Sequence, residues 1–315
     1  MAEAAGRSEL SAPNPATLRR LGARRNGPAL LRGVIQLIAF GLLAAATARL
    51  GAQGHPLAWL ASALCGLGVI TFFPLMHETG HGTAFATPGL NRACTWIGAL
   101  FMLQTPTFFR EFHLAHHRWT QDPELDPEIA SLPSLLDGFP SNPAGYLFVA
   151  SGQPLMVGKF GFTLICALLP HRIWKHFFPF VPEEKKRRVA WESRLAACLL
   201  VGSAWLGVEN VPGFAWVLLA WPIAHLGLGL YLMSEHTGLG HEGSQFQRTR
   251  SIRSNAAVRW LMWNMPYHAE HHAFPGIPFH ALPELHDHCE PKPPHTAPGY
   301  AAFQREAIRR SLQPG

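Results

Sequence analysis

LAWLASALCGLGVITFFPLMHETGH, residues 57–81, joins two kinds of sequence that seldom adjoin. From Leu57 to Met76 there is no charge. A helix of about 20 such residues crosses the hydrocarbon core of a bilayer. The run ends on His77-Glu78-Thr79-Gly80-His81. Residues four apart share a helix face, so His77 and His81 direct two imidazoles to one place at the end of a membrane span.

The same reading extends outward. Ala29–Leu50 is a first apolar run, interrupted only by Arg32 and Arg49 near its ends, and makes a hairpin with 57–76 by turning over 51–56. Cys94–Leu103 is too short to span and is expected in the interface or packed inside the protein. Residues 104–145 are polar and rich in His, Asp and Pro. Residues 146–170 are apolar but broken by Gly152, Pro154, Gly158 and Lys159, which leaves open whether they span or lie in the interface. After a basic segment that includes Lys185, Lys186, Arg187 and Arg188, a second hairpin is predicted from Leu195–Val208 and Val211–Met233. The turns 51–56 and 209–213 hold no Lys or Arg, whereas 82–194 and 234–315 hold many. The positive-inside rule then places the N-terminus, the middle and the C-terminus in the cytoplasm. Four spans satisfy that parity and five do not, which favours an interfacial 146–170.

Composition agrees. Of 315 residues 48% are hydrophobic and only 15% charged, against roughly 25% charged in soluble domains. Mean hydropathy is just +0.07, so a few spans carry a sizeable water-facing part. The net charge of +6 is spread along the chain and brackets the apolar runs, with no nucleic-acid-binding motif beside it; nucleic acid is not an expected partner. Five widely spaced cysteines without a CxxC read as reduced thiols. Residues 1–28 read as a disordered cytoplasmic tail without a secretory leader, 29–290 as one membrane domain, and 291–315 as a C-terminal tail.

Eighteen histidines are the unusual feature. Besides His77 and His81 there are two HxxHH clusters: His113, His116 and His117, then His268, His271 and His272. Eight imidazoles are too many for one ion, since a tetrahedral zinc takes three or four protein ligands. Imidazole suits Zn, Cu, Fe and Ni, and the scarcity of carboxylates disfavours Mg or Ca. HETGH alone also fits the HExxH of a zinc metalloprotease with Glu78 as base, but that motif does not explain the other two clusters. A metal transporter would hold its ligands near the bilayer midplane, whereas these fall at or beyond the span ends.

HETGH, HLAHH and HAEHH, in that order, resemble the three histidine boxes of the membrane fatty acid desaturase superfamily, which includes desaturases, alkane hydroxylases and carotenoid ketolases. The resemblance runs from about His77 to His286, and HHRWTQDPELDPE (116–128) and WNMPYHAEHH (263–272) are closest to its bacterial members. It implies an all-α integral membrane fold with four transmembrane helices and a cytoplasmic helical cap holding a non-haem di-iron site. SEHTGL (234–239) resembles the EHYGL element of alkane hydroxylases, which implies His236 as a ninth ligand. Acyl-CoA desaturases carry an asparagine one turn earlier to hold a metal-bound water; Leu232 stands there, and Asn264 is a candidate substitute. His225, His241, His280, His286 and His288 are not expected to bind metal. Metal-bound imidazoles usually donate their second N–H to a carboxylate or carbonyl, and Glu78, Asp122, Asp126, Glu235 and Glu270 are the candidates.

The resemblance further implies an enzyme that uses O2 and two iron ions to desaturate a fatty acyl chain or related lipid. The alternatives are a hydroxylase or ketolase of a lipid, alkane, carotenoid or small amphiphile and, from another class, a membrane zinc metalloprotease. No cytochrome b5 haem motif, ferredoxin cysteine run or GxGxxG is present, so a separate ferredoxin or cytochrome b5 type donor with its reductase is expected. Arg248, Arg250, Arg253 and Arg259 offer a basic surface to such a partner or to anionic lipid. The Ala- and Arg-rich style suggests a bacterial inner membrane.

Overall fold

The structure is a computed structural model that describes residues 13–130 and 142–313. The leading segment, expected as tail, forms α1 (Pro15–Leu21), with Asn14 accepting from the Thr17 amide and Leu21 buried. The first apolar run is α2 (Asn26–Ala52). Its outer face is bare: Leu31, Ile38 and Leu42 are 61%, 58% and 69% exposed. A soluble helix turns polar residues outward; this one presents leucine and isoleucine to lipid. The second run is bent at Thr71 into α3 (Leu57–Ile70) and α4 (Phe72–His81). Gly82 ends α4 in the left-handed region (φ 75°), so the first histidine box occupies the last turn of that segment.

Cys94–Leu103 falls on α5 (Pro88–Phe101), which packs along α4 with Gly98 against Met76; a Cβ at Gly98 would lie 2.6 Å from the Met76 Cβ. Then comes α6 (Pro106–Trp119), which carries the second box. Residues 146–170 are two helices, α7 (Pro143–Ser151) and α8 (Gln153–Leu168), neither long enough to count as a span. Gly152 divides them at φ 64°, where any Cβ would collide with the His225 carbonyl. After α9 (His171–Trp174) comes α10 (Glu183–Asn210). Leu195–Val208, expected as a span, is the apolar half of α10. Glu192, Arg194 and Glu209 flank it, and by length and apolarity three segments qualify among the described residues rather than four: 26–52, 57–81 and 214–236. The last of these is α11 (Phe214–Leu218) followed by α12 (Ala220–His236).

The remainder is short helices and one small sheet: α13 (Gln245–Arg248), β1 (Ser251–Ile252), α14 (Ala256–Leu261), α15 (His268–Ala273), α16 (Leu282–His288), β2 (Thr296–Ala297) and α17 (Tyr300–Ser311). β1 and β2 pair in parallel. The C-terminal α17 packs against α12 and α7 rather than trailing away. The apolar core joins α2, α4, α5 and α12 through Phe40, Phe72, Phe101 and Trp221, with Phe72 and Phe101 stacked at 3.8 Å. It lies directly below the first box.

Candidate metal centre

Three helix ends and one short helix meet above this core. The last turn of α4 brings His77 and His81, the C-terminal half of α6 brings His113, His116 and His117, the end of α12 brings His236, and α15 brings His268, His271 and His272. All but His81 are buried, and His81 is partly so. Metal-binding atoms of His77, His81, His113, His117 and His271 lie within 4.8 Å of one another; those of His116, His236 and His272 do likewise, as do those of Glu235, His236 and His268.

The spacing fits metal coordination better than hydrogen bonding. Nε2 faces Nε2 at 2.7 Å between His77 and His271, at 2.8 Å between His81 and His113, at 3.0 Å between His113 and His117, and at 3.1 Å between His236 and His268. Two ligand nitrogens at right angles on an ion with bonds of about 2.1 Å stand about 3.0 Å apart. His113 Nε2 faces two other Nε2 atoms at once, which a single ring proton cannot satisfy. His272 Nε2 is buried without a partner among the described residues. Such a donor set suits a transition metal, iron included.

Protonation is consistent. Burial, reinforced by neighbouring imidazoles, holds His113, His117, His268, His271 and His272 well below the ordinary 6.5. They stay neutral, as ligation requires. His116 moves the other way. Burial lowers it, but Glu128 and the hydrogen-bonded Asp126 outweigh burial and raise it.

The outer contacts sort the candidate carboxylates. Asp126 accepts from His116 Nδ1 at 3.0 Å and from the Gln121 amide. Glu270 pairs with His286 Nδ1 and accepts from Ser251 Oγ at 2.5 Å, while Ser251 Oγ accepts the Ala269 amide. Glu78 accepts from the Phe279 amide and Thr83 Oγ1, leaving its other oxygen 3.8 Å from His271 Nδ1. Glu235 is nearer than an outer contact: one oxygen lies 3.5 Å from His268 Nε2. Asp122 instead caps the turn of Glu124 and Leu125, and Asn264 donates to the Phe279 carbonyl; among the described residues no hydrogen bond or ion pair joins either side chain to the nine histidines. His225 is buried in α12 and bonds the Trp221 carbonyl.

Several contributors escape sequence reasoning. Glu128, 3.6 Å from His116 Nδ1, stands at the end of the DPELDPE stretch and was legible only as its neighbour. Thr120 Oγ1 accepts from His272 Nδ1 at 3.2 Å, and the Arg248 carbonyl accepts from His236 Nδ1 at 3.0 Å. Arg250 reaches back from outside, donating to the Ser234 and Thr237 carbonyls at 2.9 and 3.0 Å. These bonds satisfy carbonyls at the open end of α12 and so fix where His236 stands. Nothing local in the sequence marks a cap contributed from so far along the chain.

The fatty acid desaturase family model matches residues 53–304. A sphingolipid delta(4)-desaturase/C4-monooxygenase of Mus musculus is 26% identical over 226 residues, covering 68% of this chain and 62% of that protein. A sphingolipid delta(4)-desaturase of Drosophila melanogaster is 29% identical over 238 residues, covering 72% and 65%. The dihydrorhizobitoxine desaturase of Bradyrhizobium elkanii is 28% identical over 276 residues, covering 78% and 69%. The matched region is thus a little under two thirds of the length of the two sphingolipid enzymes. Residues 53–304, matched by the family model, contain every one of the nine histidines and make up most of the chain, and this chain belongs to the fatty acid desaturase family.

Proposed function

We propose that the protein is an O2-dependent membrane desaturase with two irons, acting on a fatty acyl chain or related lipid. His77, His81, His113, His117 and His271 would hold one iron, and His116, His236, His268 and His272 the other, with Glu235 within reach of the second. The observation that carries this reading is the convergence of nine imidazoles, neutral where burial sets their state, at metal-ligand spacing beside bare apolar helices. Bound iron supplies O2 activation and removal of hydrogen from an unactivated C–H bond, with electrons from a separate ferredoxin or cytochrome b5 type donor.

The chain's own residues do the positioning. Asp126 holds the His116 Nδ1 proton, which leaves Nε2 to ligate. The Arg248 carbonyl does the same for His236, and Thr120 for His272. Phe72, Phe73 and Met76 seal the core below the first box against water. We take the apolar half of α10 as a fourth span and the segments bearing the second and third boxes as a cytoplasmic cap, with both termini in the cytoplasm and a bacterial inner membrane as the setting. The zinc-protease reading of HETGH needs Glu78 poised beside open solvent; Glu78 is fully buried and anchored to Phe279 and Thr83.

Hydroxylation is the second reading, favoured by the similarity to a Mus musculus protein named as a desaturase/C4-monooxygenase. Purified protein supplied with lipid extract, reductant, a donor and O2 separates the two by mass spectrometry of the products. Loss of two hydrogens means desaturation and gain of one oxygen means hydroxylation. No O2-dependent product from any lipid class would refute both.

A further inference from the structure

A second feature lies away from the histidines. An open groove of about 1100 Å³ runs between α9 and α10 beside α5, lined by Arg172, Arg187, Arg188 and Arg194 with Trp96 and Trp191. Its one acid among the described residues, Glu192, is already engaged: the carboxylate accepts from the Thr107 amide, from Thr107 Oγ1 and from Arg188 Nε, each at 2.8 Å. Arg194 gives its Nε to the Ala167 carbonyl. Arg172 and Arg187 are exposed, and no hydrogen bond or ion pair joins their side chains to the described residues. Four guanidiniums thus share one groove whose only carboxylate among the described residues is saturated. Like charges so gathered repel unless an anion joins them.

The rim says which anion. Leu168, Ile173 and Trp191 are 79%, 52% and 61% exposed at the groove's edge. Beyond them α10 continues into its apolar half, where Leu199, Trp205 and Leu206 are bare as well. Tryptophan and arginine side by side, where a helix passes from charged to apolar, mark the headgroup level of a bilayer. A free metabolite or a protein partner has no use for an apolar exit beside the cations. A phospholipid, with a phosphate joined to acyl chains, needs both.

We propose that this groove seats the headgroup of an anionic phospholipid, its phosphate held by Arg172, Arg187 and Arg188 and its chains leaving past Leu168, Ile173 and Trp191 along α10. The inference rests on the membrane reading alone and is independent of the metal. It has one structural consequence. Glu192 in the groove wall caps the first turn of α6 through Thr107, so a lipid that orders this wall also steadies the helix bearing His113, His116 and His117.

The test is native mass spectrometry of the full chain released from mixed micelles, titrated with phosphatidylglycerol, with phosphatidylcholine of the same chains, or with inorganic phosphate. Phosphatidylglycerol is expected to bind saturably and phosphatidylcholine not to. A basic residue at an anionic surface contributes a factor of about five, so Arg172→Gln with Arg187→Gln should weaken binding about thirtyfold. Arg172→Gln alone, at a position with no partner to lose, should weaken it about fivefold. Arg24→Gln with Arg305→Gln removes the same charge elsewhere and should leave the isotherm in place. The proposal is overturned if the groove variants bind phosphatidylglycerol as the wild type does, which would leave the groove to an acidic protein or to nothing. It is equally overturned if the control pair loses as much, or if inorganic phosphate displaces the lipid at equal concentration.

Discussion

The two groups of histidines that share this centre are held by different means. In the five-membered group, His77, His81, His113 and His117 come from consecutive turns of two helices, and box spacing on α4 and α6 sets their geometry. Their backs are poorly held: the Nδ1 atoms of His77, His117 and His271 are buried without a partner among the described residues. In the other group the four rings come from three helices, His116 from α6, His236 from α12, and His268 and His272 one turn apart on α15. Three of the four are fixed from behind, by Asp126, by the Arg248 carbonyl and by Thr120. Helical register stands in for outer contacts in the first group; in the second, outer contacts supplement the single register pair, His268 and His272.

That contrast sets the order of expected effects. Removing a ligand should hurt most: His113→Ala is expected to empty the five-histidine group and abolish product formation, read by iron analysis and lipid mass spectrometry. Next comes Asp126→Asn, which leaves the fold intact but frees His116; a loss of about 10–100-fold in metal affinity is expected, confined to the second group. Glu78→Gln, behind the register-held group, should cost less in metal affinity than Asp126→Asn; an equal loss would erase the distinction. Arg250→Gln strips two carbonyls at the end of α12 of a charged donor and should destabilise by about 1–3 kcal/mol, seen in thermal melts, with second-group metal lost before first-group metal. Thr120→Val, which removes the neutral bonds to His272 Nδ1 and to the His116 carbonyl, is expected to cost about 1–2 kcal/mol.

Acid should act on both groups together. For His113, His117, His268, His271 and His272 the folded value is depressed, so only the unfolded chain takes up their protons as pH falls through about 6.5. Stability is therefore full above that pH and falls progressively below it. Metal-free protein in detergent should melt at steadily lower temperature from pH 7 downward, more steeply than a His113→Ala His271→Ala variant with fewer such groups. A flat profile would mean that these rings are charged or solvated in the native state.

The sequence made some of this architecture plain and concealed the rest for physical reasons. Spans 29–50 and 57–76 need only an uninterrupted apolar run, and the structure extends them by a few residues at most at either end, to 26–52 and 57–81. Leu195–Val208 is apolar too, but it continues without a break into the charged first turns of α10, and no local signal says where a membrane would begin. The break of 146–170 at Gly152 follows from contact with His225, some seventy residues on, and is invisible to periodicity. At the centre, eight histidines were legible as clusters because helical spacing is local, whereas His236 stands alone in the sequence and is marked only by the resemblance of 234–239 to the EHYGL element. Asp126 was legible because it lies close behind its box. The Glu270–His286 pair, the Arg250 cap and the Thr120 contact join distant segments, and only the fold brings them together.

The measurement that bears most directly on the central claim is the iron content of the purified chain beside two variants, His113→Ala from the register-held group and His236→Ala from the other. About two irons per chain are expected in the wild type, with each variant losing its own group's iron first. Zinc in place of iron that cannot be replaced on reconstitution, or a wild-type iron content that neither substitution changes, would contradict a di-iron centre built from these nine histidines.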